Sequence, residues 1–144
     1  MIIRKATLND LKEISDVFRK ESSKKPYIQN WTQKTAFEKI TKSYKENDIY
    51  LVLVDKKVAG FIISSIHPNN PKKAYIDELW LKSGYQGKGL GKSLVRFIED
   101  KYKSRGVEIM QVVSKRKARA FKFYNKLGYN ESKELAFMDR KLKW

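Results

Sequence analysis

Gln86-Gly87-Lys88-Gly89-Leu90-Gly91-Lys92-Ser93 falls between two segments of different period. Before it, 74–81 is a largely apolar run of strand length. After it, 90–103 places Leu94, Val95, Ile98 and Tyr102 on one side of a helix. The octet therefore predicts the corner where a strand hands over to a helix. Glycine at alternate positions (87, 89 and 91) leaves the backbone bare, so that its N–H groups can close on an anion. The first helical turn adds unpaired N–H groups and the positive end of the helix dipole. A phosphate-bearing ligand is expected here.

Two common phosphate motifs nearly fit and fail. A P-loop needs glycine five residues before the Gly91-Lys92-Ser93 ending, where this chain has Gln86. A dinucleotide fingerprint needs one residue more than Gly87-Lys88-Gly89-Leu90-Gly91 supplies. The pattern that is filled is Q/R-x-x-G-x-G/A, by Gln86, Gly89 and Gly91. In this the chain resembles the GNAT acetyltransferases, whose pyrophosphate signature has that form. Ile76-Asp77-Glu78-Leu79-Trp80-Leu81-Lys82-Ser83-Gly84-Tyr85 looks like that family's fourth strand and the loop after it. Ala120-Phe121-Lys122-Phe123-Tyr124-Asn125-Lys126-Leu127-Gly128-Tyr129 resembles its A-x-x-F-Y-x-x-x-G-F/Y helix end, and Phe137-Met138-Asp139-Arg140-Lys141-Leu142 its last strand. The matches keep the family's order and cover the C-terminal half.

The resemblance implies an acetyl-CoA-dependent N-acetyltransferase that transfers acetyl to a primary amine by direct attack in a ternary complex. Such transfer needs a held thioester, a neutral amine and a proton for the departing thiolate. Backbone N–H groups from Gly87, Lys88, Gly89, Leu90, Gly91, Lys92 and Ser93 would hold the pyrophosphate, with Gln86 of the signature counted among the cofactor-binding residues. By resemblance, Leu79, Trp80 and Leu81 would offer main-chain groups to the pantetheine arm, and Tyr124 would be the acid. Asp77 and Glu78 are the candidate bases, with ordered water as the alternative. Strand alternation is expected to send the two to opposite faces, with Asp77 the one in the cleft. Where the family often has asparagine, seven residues before the tyrosine, this chain has Lys117. Lys117 and Lys126 are counted with the CoA contacts, Lys117 on the alternative that it meets a phosphate. His67 beside Pro68 reads as a turn residue rather than a catalytic one.

Composition bounds the other classes. The chain has 144 residues, 41% of them hydrophobic, which suits one N-acetyltransferase domain over 1–144. Without cysteine there is no disulfide, thiolate metal site or cysteine nucleophile, and no metal is expected. No apolar stretch has the length of a membrane span, and a cytoplasmic protein is expected. Lys and Arg outnumber Asp and Glu by 32 to 16, a net charge of +16. The basic residues are scattered (Lys24-Lys25, Lys56-Lys57, Lys72-Lys73, Lys115-Arg116-Lys117), as on a solvated surface. Acetyl-CoA and an amine acceptor, small molecule or protein, are the expected partners. Nucleic acid is not favoured, and a homodimer is open. The alternative function is a CoA-binding sensor or nucleic-acid-associated module of the same fold without turnover.

Periodicity predicts an α/β chain in the order βααβββαβαβ, a mixed and mostly antiparallel sheet with helices on both faces, which is also the GNAT order. Strand 2–6 leads to a helix capped by Thr7 with Asp10 as partner, burying Leu8, Leu11, Ile14 and Phe18. Thr32 caps a second helix with Phe37, Ile40 and Tyr44 as its apolar face. A hairpin follows (49–54 and 58–66), then strands 74–81 and 107–113, helix 118–127 and a last strand, 135–142. The polar stretch 21–31, with Tyr27 and Trp31, is expected to shape the acceptor side, together with Phe37.

Overall fold

Alternating side chains in the central hairpin need cover on both sides, and helices supply it. The structure, a computed structural model, describes residues 1–143. Their contacts fall into two compact units, Met1–Val113 and Ser114–Trp144.

The first unit is built on a five-stranded sheet: β1 (Ile2–Lys5), β2 (Asp48–Val54), β3 (Lys57–Ile66), β4 (Lys73–Leu81) and β5 (Ile109–Val112), side by side in that order. Neighbours are antiparallel except β4 and β5, which run parallel. On one face Ile49, Leu51, Phe61 and Ile63 pack with Leu11, Ile14, Val17 and Phe18 of α1 (Leu11–Ser22) and Ala36 and Ile40 of α2 (Gln33–Glu46). Each buried Val, Leu, Ile or Phe among these contributes roughly 1.5–3 kcal/mol of transfer free energy. The opposite face takes α3 (Leu90–Lys103). Phe97 lies 4.9 Å from Tyr50, and the Tyr102 hydroxyl donates to Asp48 Oδ2 at 2.6 Å and lies 2.8 Å from Ser64 Oγ. Burial, then the hydrogen bond to Asp48, pushes the Tyr102 phenol above its ordinary range. That buried network fastens α3 to the hairpin.

Local chemistry sets the element ends. Asp55 and Lys56, both at positive φ, make the two-residue hairpin turn. Thr32 Oγ1 accepts from the Thr35 N–H at 3.1 Å, and Thr35 Oγ1 from the Thr32 N–H at 2.9 Å, so α2 starts as predicted. Asp10 accepts from the Thr7 N–H at 2.7 Å and from both Arg4 terminal nitrogens. This closes a 3-10 turn, Leu8–Asp10, before α1.

Three sequence expectations change. Leu8 lies in that tighter turn rather than in α1, and its side chain is exposed instead of joining the buried stripe. Phe37 is exposed too, because α2 turns its small residues Ala36 and Ser43, with Ile40, to the core. Residues 135–142 form no strand, and Leu135, Phe137, Met138 and Leu142 are exposed. A strand exists only where another supplies its ladder, and local pattern cannot supply one.

The second unit carries α4 (Arg119–Lys126), ended by Leu127. Ala118, Tyr124 and Leu127 are buried, and Arg116 pairs with Glu131.

Candidate functional site

The decisive irregularity lies in β4. Opposite β3, Ile63 pairs with Glu78 and Ser64 with Ile76, so Asp77 is an extra residue with no partner of its own. Such a bulge bends a strand and re-aims a side chain. Here it sets aside the expected alternation of Asp77 and Glu78. Glu78 takes the Trp80 indole N–H at 2.8 Å and lies 3.4 Å from Lys39 Nζ on α2. Asp77 Oδ2 accepts from Ser65 Oγ at 2.7 Å, and its carboxyl feels the same Lys39 charge. Both carboxylates therefore stand on the α1–α2 face.

Their environments differ. Glu78 is largely covered and spends both oxygens, one on Trp80 and one on Lys39. Asp77 keeps solvent access, while the surrounding protein raises its pKa by desolvation, against the lowering effects of Ser65 and Lys39. A carboxylate whose pKa is raised, yet which solvent can reach, has the character of a proton acceptor. Aromatic rings adjoin Glu78: Trp80, which donates to it, packs edge-on against Tyr27 at 4.9 Å and against Phe18 at 6.1 Å. Trp31 stacks on Phe18 at 5.1 Å as part of the core.

Beyond the bulge β4 is bare on one side. It pairs with β5 only from Lys73 to Ile76, but with β3 as far as Leu81. Among the described residues, the edge of Leu79, Trp80 and Leu81 that faces away from β3 has no ladder partner. Gly60 holds β4 close on the other side, since a Cβ there would collide with the Leu81 side chain and come 2.5 Å from the Trp80 carbonyl oxygen.

The Gly-rich octet turns from this bare edge into α3, as predicted. Gly87 and Gly89 take φ of 74° and 81°, conformations that L side chains rarely adopt. Among the described residues, Gly87, Lys88, Gly89, Leu90, Gly91 and Lys92 donate to no backbone carbonyl. Ser93 is different: its N–H and Oγ both go to the Gly89 carbonyl, each at 3.1 Å. Leu90 is buried, so only its backbone faces the corner. Gln86 turns its amide nitrogen inward, to the Leu81 carbonyl at 3.2 Å and Glu21 Oε1 at 3.3 Å.

Tyr124, Lys117 and Lys126 belong to the second unit. Tyr124 is buried on α4 with its ring 5.0 Å from Phe123 and 5.5 Å from Tyr129. Lys117 and Lys126 are exposed. His67 is a turn residue, its Nδ1 accepting from the Asn69 N–H at 3.1 Å.

A model of the acetyltransferase (GNAT) family matches residues 11–129. The chain belongs to the GNAT acetyltransferase family. GNAT enzymes take acetyl-CoA as co-substrate. A spermidine N(1)-acetyltransferase of Thermoplasma acidophilum is 30% identical, over 88% of this chain and 86% of that protein. Among solved structures, a possible acetyltransferase of Clostridium difficile superposes with a TM-score of 0.82 at 16% identity, covering 99% of this chain and 98% of that one. An aminoglycoside 6'-N-acetyltransferase of Acinetobacter haemolyticus gives 0.78 at 13%, covering 99% and 100%. These two show the same GNAT fold. Sequence reasoning missed Lys39, Ser65 and Glu21, which carry no motif and meet the site only through folding.

Proposed function

We propose that this GNAT protein is an acetyl-CoA-dependent N-acetyltransferase acting on a primary alkylamine by direct attack in a ternary complex, residues 1–144 working as one catalytic domain. One observation carries this reading: a strand edge left bare after Ile76 runs straight into a turn of unpaired N–H groups. The edge formed by Leu79, Trp80 and Leu81 suits the amide-bearing arm of CoA. The N–H groups of Gly87 to Lys92 suit its pyrophosphate. A strand N–H beside the thioester also stabilises the developing oxyanion, an effect worth about 3 kcal/mol when preorganised.

Asp77 takes the proton from the incoming ammonium, and Tyr124 gives one to the CoA sulfur. The amine nitrogen forms its bond to the acetyl carbon as the carbon–sulfur bond breaks, and the second proton that the nitrogen sheds restores the Tyr124 phenol through solvent. Glu78, fixed by Trp80 and Lys39, supplies negative potential. Asp77, Glu78 and Lys39 together carry one net negative charge on a face of a chain whose net charge is +16. That favours a cationic acceptor, and the spermidine acetyltransferase relative agrees with it.

Thiol release from acetyl-CoA, screened over diamines, polyamines, aminoglycosides and peptides, tests the reading. Alkylamines should turn over. Asp77→Asn should lose activity at neutral pH and regain it as rising pH deprotonates the amine in solution. Tyr124→Phe should lower kcat and kcat/KM together while acetyl-CoA still binds. Wild-type pH–rate behaviour in Asp77→Asn would move the base to ordered water.

A further inference from the structure

Glu21 is an expensive residue where it stands. It lies in the last turn of α1, where the helix dipole disfavours negative charge, and it is only 8% exposed. Three donors compensate. Lys24 Nζ lies 2.9 Å from Oε2, Gln86 Nε2 donates to Oε1 at 3.3 Å, and Ser83 Oγ lies 3.3 Å from Oε2 and 3.4 Å from Oε1. Lys24 Nζ also donates to Ser83 Oγ, which closes the cluster. Two of these partners, Ser83 and Gln86, belong to the segment between β4 and the glycines.

Little else holds that segment. The Lys82 N–H donates to the Ala59 carbonyl at 2.8 Å and the Tyr85 N–H to the Lys82 carbonyl at 3.0 Å, and Lys82 Nζ lies 3.5 Å from Glu13 Oε1. Gln86 joins the two ends: one amide hydrogen reaches back to Leu81, the other goes to Glu21. Gly87 follows immediately, and its direction is set by where Gln86 is held.

We infer that Glu21 is a positioning residue for acetyl-CoA: through Ser83 and Gln86 it fixes the loop whose N–H groups receive the pyrophosphate. This rests on the proposed function of that loop. Glu21 touches no substrate in this role. It works by keeping the loop in its binding shape before the ligand arrives, so that binding carries no further ordering cost.

The test is calorimetric titration of CoA into the wild type, Glu21→Gln, Glu21→Ala, Gln86→Ala and the Glu21→Ala/Gln86→Ala double variant, with steady-state kinetics on each. Glu21→Ala should weaken CoA binding by about tenfold, the size expected for losing hydrogen bonds to a charged group. Glu21→Gln keeps an acceptor for Gln86 and should fall between. The double variant should bind no worse than the weaker single one, because both changes release the same latch. At saturating acetyl-CoA, kcat and the acceptor KM of Glu21→Gln and Glu21→Ala should stay near wild type, a split that a general loss of folding would not give. Should Glu21→Ala fail to fold, Ser83→Ala, at an exposed position outside the binding motif, must still show the raised KM for acetyl-CoA. Unchanged CoA affinity in Glu21→Ala, or fully additive losses in the double variant, would overturn the latch while leaving the enzyme intact. A wild type that bound no CoA would overturn the loop's proposed function and the latch with it.

Discussion

In the proposed mechanism the chemistry turns on Asp77, and burial and the Lys39 cation act on its carboxyl in opposite directions. Burial raises the Asp77 pKa, and the Lys39 cation moderates that rise. Replacing the cation with a chain of similar length should therefore let the pKa climb further. For Lys39→Met the acid limb of the kcat/KM profile should move to higher pH, because the base must be ionised to accept a proton. The same change removes a resident ammonium from Glu78, so a cationic acceptor should bind more tightly. A profile identical to wild type would separate Lys39 from the base. None of this was legible in the sequence, where Lys39 is one lysine among many on a polar helix.

At the scale of elements, the caps make the clearest prediction. Asp10 joins β1 to the start of α1 by accepting from Arg4 and Thr7, and these hydrogen bonds, the Arg4 one foremost, hold its pKa at about 2 against an ordinary 3.8. The pKa is depressed, so its stabilising contribution is full above the ordinary value and disappears as pH falls through about 2. Asp10→Ala should cost about 1–2 kcal/mol at neutral pH in urea unfolding, and the gap from wild type should close in strong acid. Thr7, Asp10 and Thr32 were legible because a cap is a contract between residues three apart. So was the hairpin, and so was the glycine corner, where the strand period gives way to the helix period. Leu8 was not, because a 3-10 turn shifts the helical face by a fraction of a turn. The bulge was hidden for a different reason. Ile76-Asp77-Glu78-Leu79 reads as ordinary alternation, and only the partner strand reveals which residue has no opposite number. Glu21 joins residues more than sixty positions away, a distance no local pattern spans.

For the molecule as a whole, the excess of Lys and Arg gives +16 spread along the chain, and acetyl-CoA is an anion. Long-range attraction should speed their encounter and should weaken as salt shortens its reach, to about 3 Å at 1 M. The kcat/KM for acetyl-CoA should therefore fall as ionic strength rises, with kcat nearly constant. Retention on DNA at physiological salt together with no acetyl-CoA turnover would point instead to a binding module. The GNAT family match, 11–129, spans both units, and the order of elements predicted from the sequence is the one found through α4.

The bulge has one more consequence. With Asp77 taken out, Ile76 and Glu78 become neighbours and still face Ser64 and Ile63, so every other pairing between β3 and β4 survives and alternation becomes unbroken. The backbone ladder thus does not need this residue, whose side chain adds one hydrogen bond, from Ser65. A chain with Asp77 deleted should fold, and melt no earlier than the wild type, while failing to release thiol from acetyl-CoA at neutral pH. In a population of variants, that deletion would be invisible to any selection for stability and conspicuous to one for activity.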